Sequence, residues 1–193
     1  LSFQDGPSLH VTLSGMVEAG VKVQCFAIYV PETVPEEAKF TAALEMAELF
    51  FARIVEMFPS MKVVRTRQDI ASLKDGEIGA MLTLEGCDAI GASLVKLKTL
   101  LRLGVASVGL TWNFPNAVAD GAWEKRGAGL TAFGRQVVEL LNETRRWVDV
   151  SHLSEKAFWD VVEMARFPIA SHSNVHRLCP HPRNLTDEQI KAL

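Results

Sequence analysis

The sequence lacks a surplus of charge of either sign. Its 193 residues carry 20 Lys and Arg against 23 Asp and Glu, for a net charge of −3. This balance provides no basic footprint for a phosphate backbone, so we expect no general nucleic-acid binding. Every long apolar stretch is interrupted by charge well before the roughly 20 residues that span a bilayer, so we expect no membrane segment.

The amino-terminal stretch also lacks the basic start and apolar block of a signal peptide. Together with the absence of a membrane segment, this predicts a cytoplasmic protein. The first residue is Leu1 rather than an initiator Met, so we expect that the chain begins inside a longer protein or after processing.

Paired cysteine motifs and nucleotide-binding loops are absent as well. Cys25, Cys87 and Cys179 are odd in number, widely spaced and outside any CxxC pair. A disulfide framework or a zinc ribbon is therefore poorly supported, and three reduced thiols are expected. No GxGxxG or GxxxxGK[ST] pattern follows an apolar run, so a dinucleotide-binding or P-loop domain loses its main support.

What the sequence does contain is an alternation of strand-like and helix-like patterns. Six apolar runs rich in β-forming residues predict strands at 21–29, 61–65, 78–84, 105–111, 147–150 and 168–170. Several are apolar on both faces, which is typical of strands that are covered on each side in a parallel sheet.

Helical periodicity occupies the intervals between these runs. Apolar stripes cover residues 40–58 and 90–101, and Gly104 stands where a C-cap is expected. Residues 130–143 and 154–164 predict two more helices, and Thr186 opens a capping-box pattern before a last one. The alternation predicts a parallel α/β fold, either a doubly wound sheet or a barrel. A complete (β/α)8 barrel needs roughly 250 residues, whereas about six units can be counted here. We therefore expect residues 1–193 to form a single domain that is part of a barrel.

Polar side chains at three predicted strand ends indicate chemistry. Glu85 follows the third run directly, His152 follows the fifth, and His172 follows the sixth. In a parallel barrel these ends face one mouth, where active sites are built. One carboxylate and two imidazoles form a His2Glu set, which suits zinc with an open coordination position. The alternative for each residue is structural, since a strand-end His is often hydrogen-bonded and Glu85 can cap the following helix.

The proline-containing loop after His172 provides weaker candidates. His176 and His181 lie in this loop, and His181 stands between two prolines, where ordering of the loop is the expected role. Arg183 can hold a substrate carboxylate through two parallel hydrogen bonds, although a solvent-exposed role is an equal alternative.

Seven segments in order carry a resemblance to a known family. They are VQCFAIYV at 23–30, LEG at 84–86, GLTWN at 109–113, GLTAFG at 129–134, VDVSHLS at 148–154, IASHSN at 169–174 and HPRN at 181–184. The chain resembles the membrane (renal) dipeptidases, the M19 metallopeptidases of the amidohydrolase-like barrel superfamily. The segments span nearly the whole chain, and their order and spacing are more specific than any one of them.

The resemblance implies a two-zinc hydrolase that cleaves dipeptides, often with a D residue on the carboxyl side. It implies that Glu85 bridges both metals and that His152 and His172 complete the second metal's site. Arg183 matches the arginine that contacts the substrate carboxylate. Trp112 stands where mammalian members have a substrate-contacting His, so Trp112 and Asn113 are expected to contact the substrate.

The sequence departs from the family pattern at the first metal site. The family places a His-x-Asp pair after its first strand, and none of the five histidines here is followed by Asp at that spacing. The chain is therefore expected to start downstream of that strand, to stop before the last strands, and to keep ligands for about one zinc. An inactive fragment or pseudoenzyme is one alternative, and another amidohydrolase-type reaction, such as that of a deaminase or lactonase, is a second. Unpaired edges of an incomplete barrel make a homodimer possible.

Overall fold

Six parallel strands form one sheet in the computed structural model, which describes residues 2–193. The strands are β1 (Val23–Tyr29), β2 (Met61–Val63), β3 (Ile78–Glu85), β4 (Ser107–Gly109), β5 (Trp147–Asp149) and β6 (Pro168–Ile169). Each coincides with one of the six predicted runs, and β3 extends one residue further than expected, to Glu85. The α/β prediction is therefore confirmed.

Helices connect the strands. They are α1 (Leu13–Glu18), α2 (Glu36–Phe50), α3 (Arg67–Ala71), α4 (Leu94–Leu103), α5 (Ala132–Glu143), α6 (Glu155–Met164) and α7 (Asp187–Ala192). A π-helical turn, Phe51–Val55, continues α2, and a 3-10 turn, Cys87–Ile90, precedes α4. Ser154 and Thr186 cap α6 and α7 through their side chains, as the sequence patterns indicate.

Two helical details differ from the sequence-based expectation. The apolar stripe of 90–101 is not one helix, because Gly91 adopts a positive φ of 52° and separates Ile90 from α4. Ser93 then caps the new helix by accepting a hydrogen bond from the Lys96 backbone N–H. The short α1, capped by Thr12, was not predicted because six residues carry too little periodicity to stand out.

The order of the strands identifies the sheet as an arc of a barrel. Neighbours run β1-β3-β4-β5-β6, and β2 lies beside only the first half of β3. From β3 to β6 each crossover advances by one strand in the same direction, and right-handed crossovers of this kind place their helices on one face of the sheet. A doubly wound sheet needs a reversal of strand order, and the β1-to-β6 path has none. Within residues 2–193, β1 pairs only with β3 and β6 only with β5, so these strands form no closed ring.

The two faces of the arc differ in chemistry. Ile28, Leu84, Val108 and Val148 point to one face and form the core with apolar residues of α2, α4, α5 and α6. The opposite face borders a cleft of about 270 Å³, whose lining combines large apolar side chains, Met81, Trp147 and Ile169, with small and polar ones, among them Cys25, Thr83, Ser107, Asp149 and Ser171. β3 and β4 are buried on both faces, as their apolar runs predict, whereas β1, β5 and β6 keep partly or fully exposed residues.

None of the helices in residues 2–193 combines the length and the apolar composition needed to cross a membrane.

Candidate active site

Three side chains meet at the carboxyl ends of the strands. Glu85 is the last residue of β3, while His152 and His172 lie just beyond the ends of β5 and β6. The Oε1 atom of Glu85 lies 3.1 Å from Nε2 of His152 and 3.3 Å from Nε2 of His172. The two Nε2 atoms are 2.7 Å apart. The convergence that the strand-end positions predict is therefore observed, and the cluster has the donor types of a metal site.

His152 is held in an unusual backbone conformation. Its φ of 72° lies in the left-handed region, which residues other than glycine adopt at an energetic cost. The Ala122 backbone N–H donates to the His152 carbonyl at 2.7 Å, and the Thr111 hydroxyl donates to the same oxygen at 3.4 Å. The loop after β4 therefore fixes the backbone from which the imidazole projects.

The Nδ1 atom of each imidazole has a hydrogen-bond partner of its own. Nδ1 of His152 lies 2.7 Å from the amide oxygen of Asn113, so it carries the proton that this oxygen accepts. Nδ1 of His172 lies 2.7 Å from the Ser171 hydroxyl. That hydroxyl in turn bonds to the carboxylate of Asp149, which can only accept. The Ser171 oxygen is therefore free to accept the Nδ1 proton of His172.

Asp149 is itself fixed by the ends of two strands. Its Oδ1 atom accepts backbone N–H groups of Ser151 at 3.0 Å and Ser171 at 3.1 Å. The carboxylate thus links the segments after β5 and β6 and orients the Ser171 hydroxyl. Carboxylate–hydroxyl–imidazole contacts of this kind are typical partners of metal-binding histidines.

These contacts leave both Nε2 lone pairs facing each other and the carboxylate of Glu85. Three acceptor atoms within 2.7–3.3 Å repel one another unless a positive charge lies between them. A proton on one ring or a metal cation meets that need. The residues present therefore fit a metal ion, and the His2Glu chemistry suits zinc.

The pKa values of the cluster favour the metal-binding protonation states. In the metal-free site a proton on a ring supplies the hydrogen bond to Glu85, and such bonding, from His152 first and then from His172, lowers the pKa of Glu85 to about 2, against the opposing effect of burial. Burial lowers the pKa of His152 below its usual value. At neutral pH the site therefore presents an ionised carboxylate and a neutral His152 imidazole, the forms that bind a metal.

Arg183 lies at the mouth beside the cluster. Its Nη2 atom donates to the His172 carbonyl at 3.3 Å, and its backbone N–H donates to Nδ1 of His181 at 3.1 Å. The second contact agrees with the expected role of His181 in ordering the loop. His176, His181 and Arg183 line a cleft of about 150 Å³ that His152 also borders. The guanidinium thus lies beside the backbone of His172, one of the three residues of the cluster.

Trp112 and Asn113 follow β4 in the chain and lie next to His152. The indole of Trp112 packs 5.8 Å from the His152 ring and 5.4 Å from Tyr29, measured between ring centroids. Asn113 is buried, and its side-chain oxygen is engaged by His152. Whether these two residues contact a substrate stays a prediction.

Sequence reasoning gave no role to several residues of this site. Ser171 and Asp149 orient His172, and Trp123 packs 5.7 Å from Trp112. For Ser171 the sequence did contain a signal, because this residue directly precedes His172. Asp149 and Trp123 reach the site through strand pairing and loop folding, and neither is visible in local spacing.

A barrel arc with a His2Glu cluster at the carboxyl ends of its strands has the architecture of the metal-dependent hydrolases. The family model described as membrane dipeptidase (peptidase family M19) matches residues 1–193. The chain belongs to this family of metallo-dipeptidases.

Individual relatives and solved structures are similar to this chain over much of its length. A protein from the pqqA 5′ region of Klebsiella pneumoniae is 36% identical over 141 residues, which are 69% of this chain and 52% of the relative. A solved structure of an M19 metallopeptidase, dipeptidase AC, is 32% identical with a TM-score of 0.88, covering 97% of this chain and 61% of that one. A metallopeptidase from Rhodobacter sphaeroides, solved with a phosphinate mimic of the dipeptide L-Ala-D-Ala, is 29% identical with a TM-score of 0.88, covering 97% and 62%. The chain spans about half the length of the curated relatives it matches.

Proposed function

We propose that this chain carries the metal-binding part of a zinc-dependent dipeptidase. The observation that supports the proposal most strongly is the approach of Glu85, His152 and His172, whose ligand atoms lie 2.7–3.3 Å from one another. The partners of the two Nδ1 atoms add to it, since they turn both Nε2 atoms toward the same point. We propose one zinc for these ligands, in line with the missing His-x-Asp pair.

We assign the side chains to two roles, binding the ion and orienting its ligands. Glu85, His152 and His172 would hold the zinc, while Asn113 and the Ser171–Asp149 pair keep the imidazoles in the correct tautomer and orientation. A zinc ion bound there supplies Lewis-acid activation of water and of a peptide carbonyl.

The substrate side of the proposal rests on Arg183 and Trp112. Arg183 would bind the α-carboxylate of a dipeptide through its guanidinium fork, beside the zinc ligands. Trp112 would border the substrate from the His152 side, and Asn113 would act mainly through His152. Because a relative binds a mimic of L-Ala-D-Ala, we propose a dipeptide with a D residue at its carboxyl end as the first substrate to test.

Hydrolysis assays with added zinc test this function. The panel contains L-Ala-D-Ala, L-Ala-L-Ala, cyclic amides and lactones, and the proteins are the chain with its His152→Ala and His172→Ala variants and a His10→Ala control, each made in the longer protein as well where one exists. If coding sequence upstream supplies a His-x-Asp pair in frame, the longer protein is assayed in parallel. We expect zinc-dependent cleavage of dipeptides by the longer protein, loss of cleavage with His152→Ala, and very weak or no cleavage by the 193-residue chain.

The other outcomes identify the alternatives. Turnover confined to cyclic amides or lactones indicates another amidohydrolase-type reaction on the same barrel. No turnover by a zinc-loaded longer protein indicates a pseudoenzyme. The homodimer and the cytoplasmic location stay predictions, to be checked by light scattering after gel filtration and by cell fractionation.

A further inference from the structure

A third cleft lies at the opposite end of the barrel arc from Glu85, His152 and His172. It occupies about 490 Å³ near the carboxyl-terminal ends of α4 and α5, and its lining includes four cationic side chains, Arg65, Lys98, Arg102 and Arg146. Arg146 immediately precedes β5, so this cleft opens at the amino ends of the strands. It is therefore separate from the candidate active site at the carboxyl ends.

Local structure gathers the four cations. Lys98 and Arg102 are four residues apart on α4 and therefore share one face of that helix. Gly104 ends α4 with a φ of 112°, a conformation that favours glycine. A Cβ atom at Gly104 would lie 2.6 Å from Nε of Arg65, so the missing side chain leaves the space that the Arg65 guanidinium occupies.

No carboxylate forms an ion pair with these side chains within the part of the chain that the structure describes, although backbone hydrogen bonding from Arg65, and to a lesser extent the charge of Arg65, lowers the pKa of nearby Asp69. None of the four side chains forms an ion pair with a residue in 2–193. Asp69, which follows Arg65 closely in sequence, accepts instead from the backbone N–H groups of Arg65 and Thr66, at 2.9 and 2.8 Å. The chain as a whole has a net charge of −3, so the concentration of positive charge is local.

A buried donor in this cleft has no partner. Nε of Arg146 is shielded from solvent and forms no hydrogen bond with any residue in 2–193. Burial and the charge of Arg65 both lower the pKa of Arg146, which shows that the two guanidinium groups repel each other. A buried unpaired donor is unfavourable. Because this Nε is closed to solvent, an anion in the cleft would contact the terminal nitrogens of Arg146 instead.

The carboxyl-terminal helix ends offset only part of the positive charge in this cleft. The carboxyl-terminal ends of α4 and α5 each present roughly half an elementary negative charge to nearby cations. Together they offset about one of the four positive charges. The surplus calls for a multivalent anion, and the guanidinium fork matches the oxygen geometry of phosphate.

We propose that this cleft is an anion site for a phosphate group, bound by Arg65 and Arg146 with Lys98 and Arg102 around it. The volume exceeds that of a bare ion, so the site accepts a phosphate monoester of a small molecule as well as inorganic phosphate. The site is independent of the dipeptidase function proposed above.

Binding of phosphate to the chain in EDTA tests the site, because EDTA removes metal that would also bind phosphate. Inorganic phosphate and glycerol 3-phosphate are titrated in a calorimeter at constant ionic strength set with NaCl, and thermal unfolding is followed in the same buffers. We expect saturable binding of phosphate and an increase in melting temperature that NaCl does not reproduce. Tighter binding of glycerol 3-phosphate indicates that the natural ligand is an organic phosphate, and equal binding indicates inorganic phosphate.

Four single variants locate the binding. Arg65→Gln and Arg146→Gln are expected to weaken phosphate binding about tenfold each, the effect of losing one charge-assisted contact. Arg53→Gln is the matched control, since this exposed arginine on the π-helical turn lies outside the cleft. Arg183→Gln removes the cation at the active-site mouth and is expected to leave phosphate binding unchanged. Arg65 is exposed, so its variant remains informative if Arg146→Gln does not fold.

Three results would overturn the site. One is stabilisation by NaCl equal to that by phosphate, which indicates screening of charge alone. Another is loss of binding in Arg183→Gln with full binding in Arg65→Gln, which places the anion at the active-site mouth. The third is the absence of saturable binding in the wild-type chain.

Discussion

The Nε2 atoms of His152 and His172 lie 2.7 Å apart, although the two residues are separated by 20 positions and by one complete β/α unit. The Nδ1 atoms of both rings are engaged, His152 by Asn113 and His172 by Ser171. Two imidazoles whose free nitrogens face each other and a carboxylate form an arrangement that a cation stabilises. This relationship underlies the predictions on metal binding below.

Removal of the Asn113 amide should weaken metal binding without removing a ligand. In Asn113→Ala, His152 loses the acceptor of its Nδ1 proton, so its tautomer and orientation are no longer fixed. We expect zinc affinity, measured by competition with a chromogenic chelator, to fall about 10–100-fold. Asn113→Asp keeps an oxygen at this position and should bind zinc more tightly than Asn113→Ala. Equal affinity in Asn113→Ala and the wild type would contradict the positioning role.

Removal of the Ser171 hydroxyl should weaken zinc binding, whereas removal of the nearby Ser173 hydroxyl should not. Ser171→Ala breaks the link between Asp149 and Nδ1 of His172, and we expect a loss in zinc affinity of about tenfold or more. Ser173→Ala is the matched control, because the buried hydroxyl of Ser173 has no hydrogen-bond partner among the described residues. An equal loss of affinity in the two variants would show that the link carries no specific effect.

The loop that holds His152 should not tolerate a side chain at Gly121. A Cβ atom there would lie 2.3–2.5 Å from the backbone of Asn113 and Trp112. We expect Gly121→Ala to lower the free energy of unfolding by about 3 kcal/mol, as overpacking of a rigid contact does. Gly127→Ala is the comparison: no atom lies within 4 Å of its added Cβ, although its φ is 60°. Strain at a left-handed residue alone costs about 1 kcal/mol. Urea unfolding of both variants measures the difference, and equal losses would mean that the contact with Asn113 is not rigid.

Acid should reveal the low pKa of Glu85 in the metal-free protein. The pKa of about 2 in the folded chain lies below the ordinary value of 4.5, so the ionised carboxylate stabilises the fold fully above pH 4.5. That contribution disappears as the pH falls from 4.5 toward 2, and it amounts to at most about 3 kcal/mol. In EDTA, Glu85→Gln should therefore show a shallower decrease of the urea midpoint over this range than the wild type. Glu56→Gln, at an exposed position, should follow the wild type, and coincident curves for all three proteins would contradict the pairing of Glu85 with the histidines.

The strands and the three candidate ligands could be predicted from the sequence, because local sequence patterns indicate both. Runs of β-forming residues end at Glu85 and shortly before His152 and His172, and parallel strands bring such ends to one edge. The position of β2 was not accessible, since whether Met61–Val63 joins the path or lies beside the first half of β3 depends on long-range pairing.

The orienting contacts were not accessible from sequence either. Asn113 lies 39 residues from His152, and only the folding of the loop after β4 brings the amide oxygen to Nδ1. Asp149 lies 22 residues from Ser171, and the pairing of β5 with β6 creates that contact. At Gly91 a local feature was missed instead. The apolar periodicity of 90–101 indicates one helix, but the positive φ of Gly91 separates Ile90 from α4.

Cobalt titration of the metal-free chain tests the central claim most directly, because Co²⁺ reports both the stoichiometry and the ligands of a zinc-type site through its visible absorption. We predict about one Co²⁺ per chain, displaced by zinc, with loss of the visible bands in Glu85→Gln, His152→Ala and His172→Ala and their retention in the His10→Ala control. The absence of stoichiometric binding, or bands that persist unchanged in all three ligand variants, would contradict the assignment of Glu85, His152 and His172 as the metal ligands.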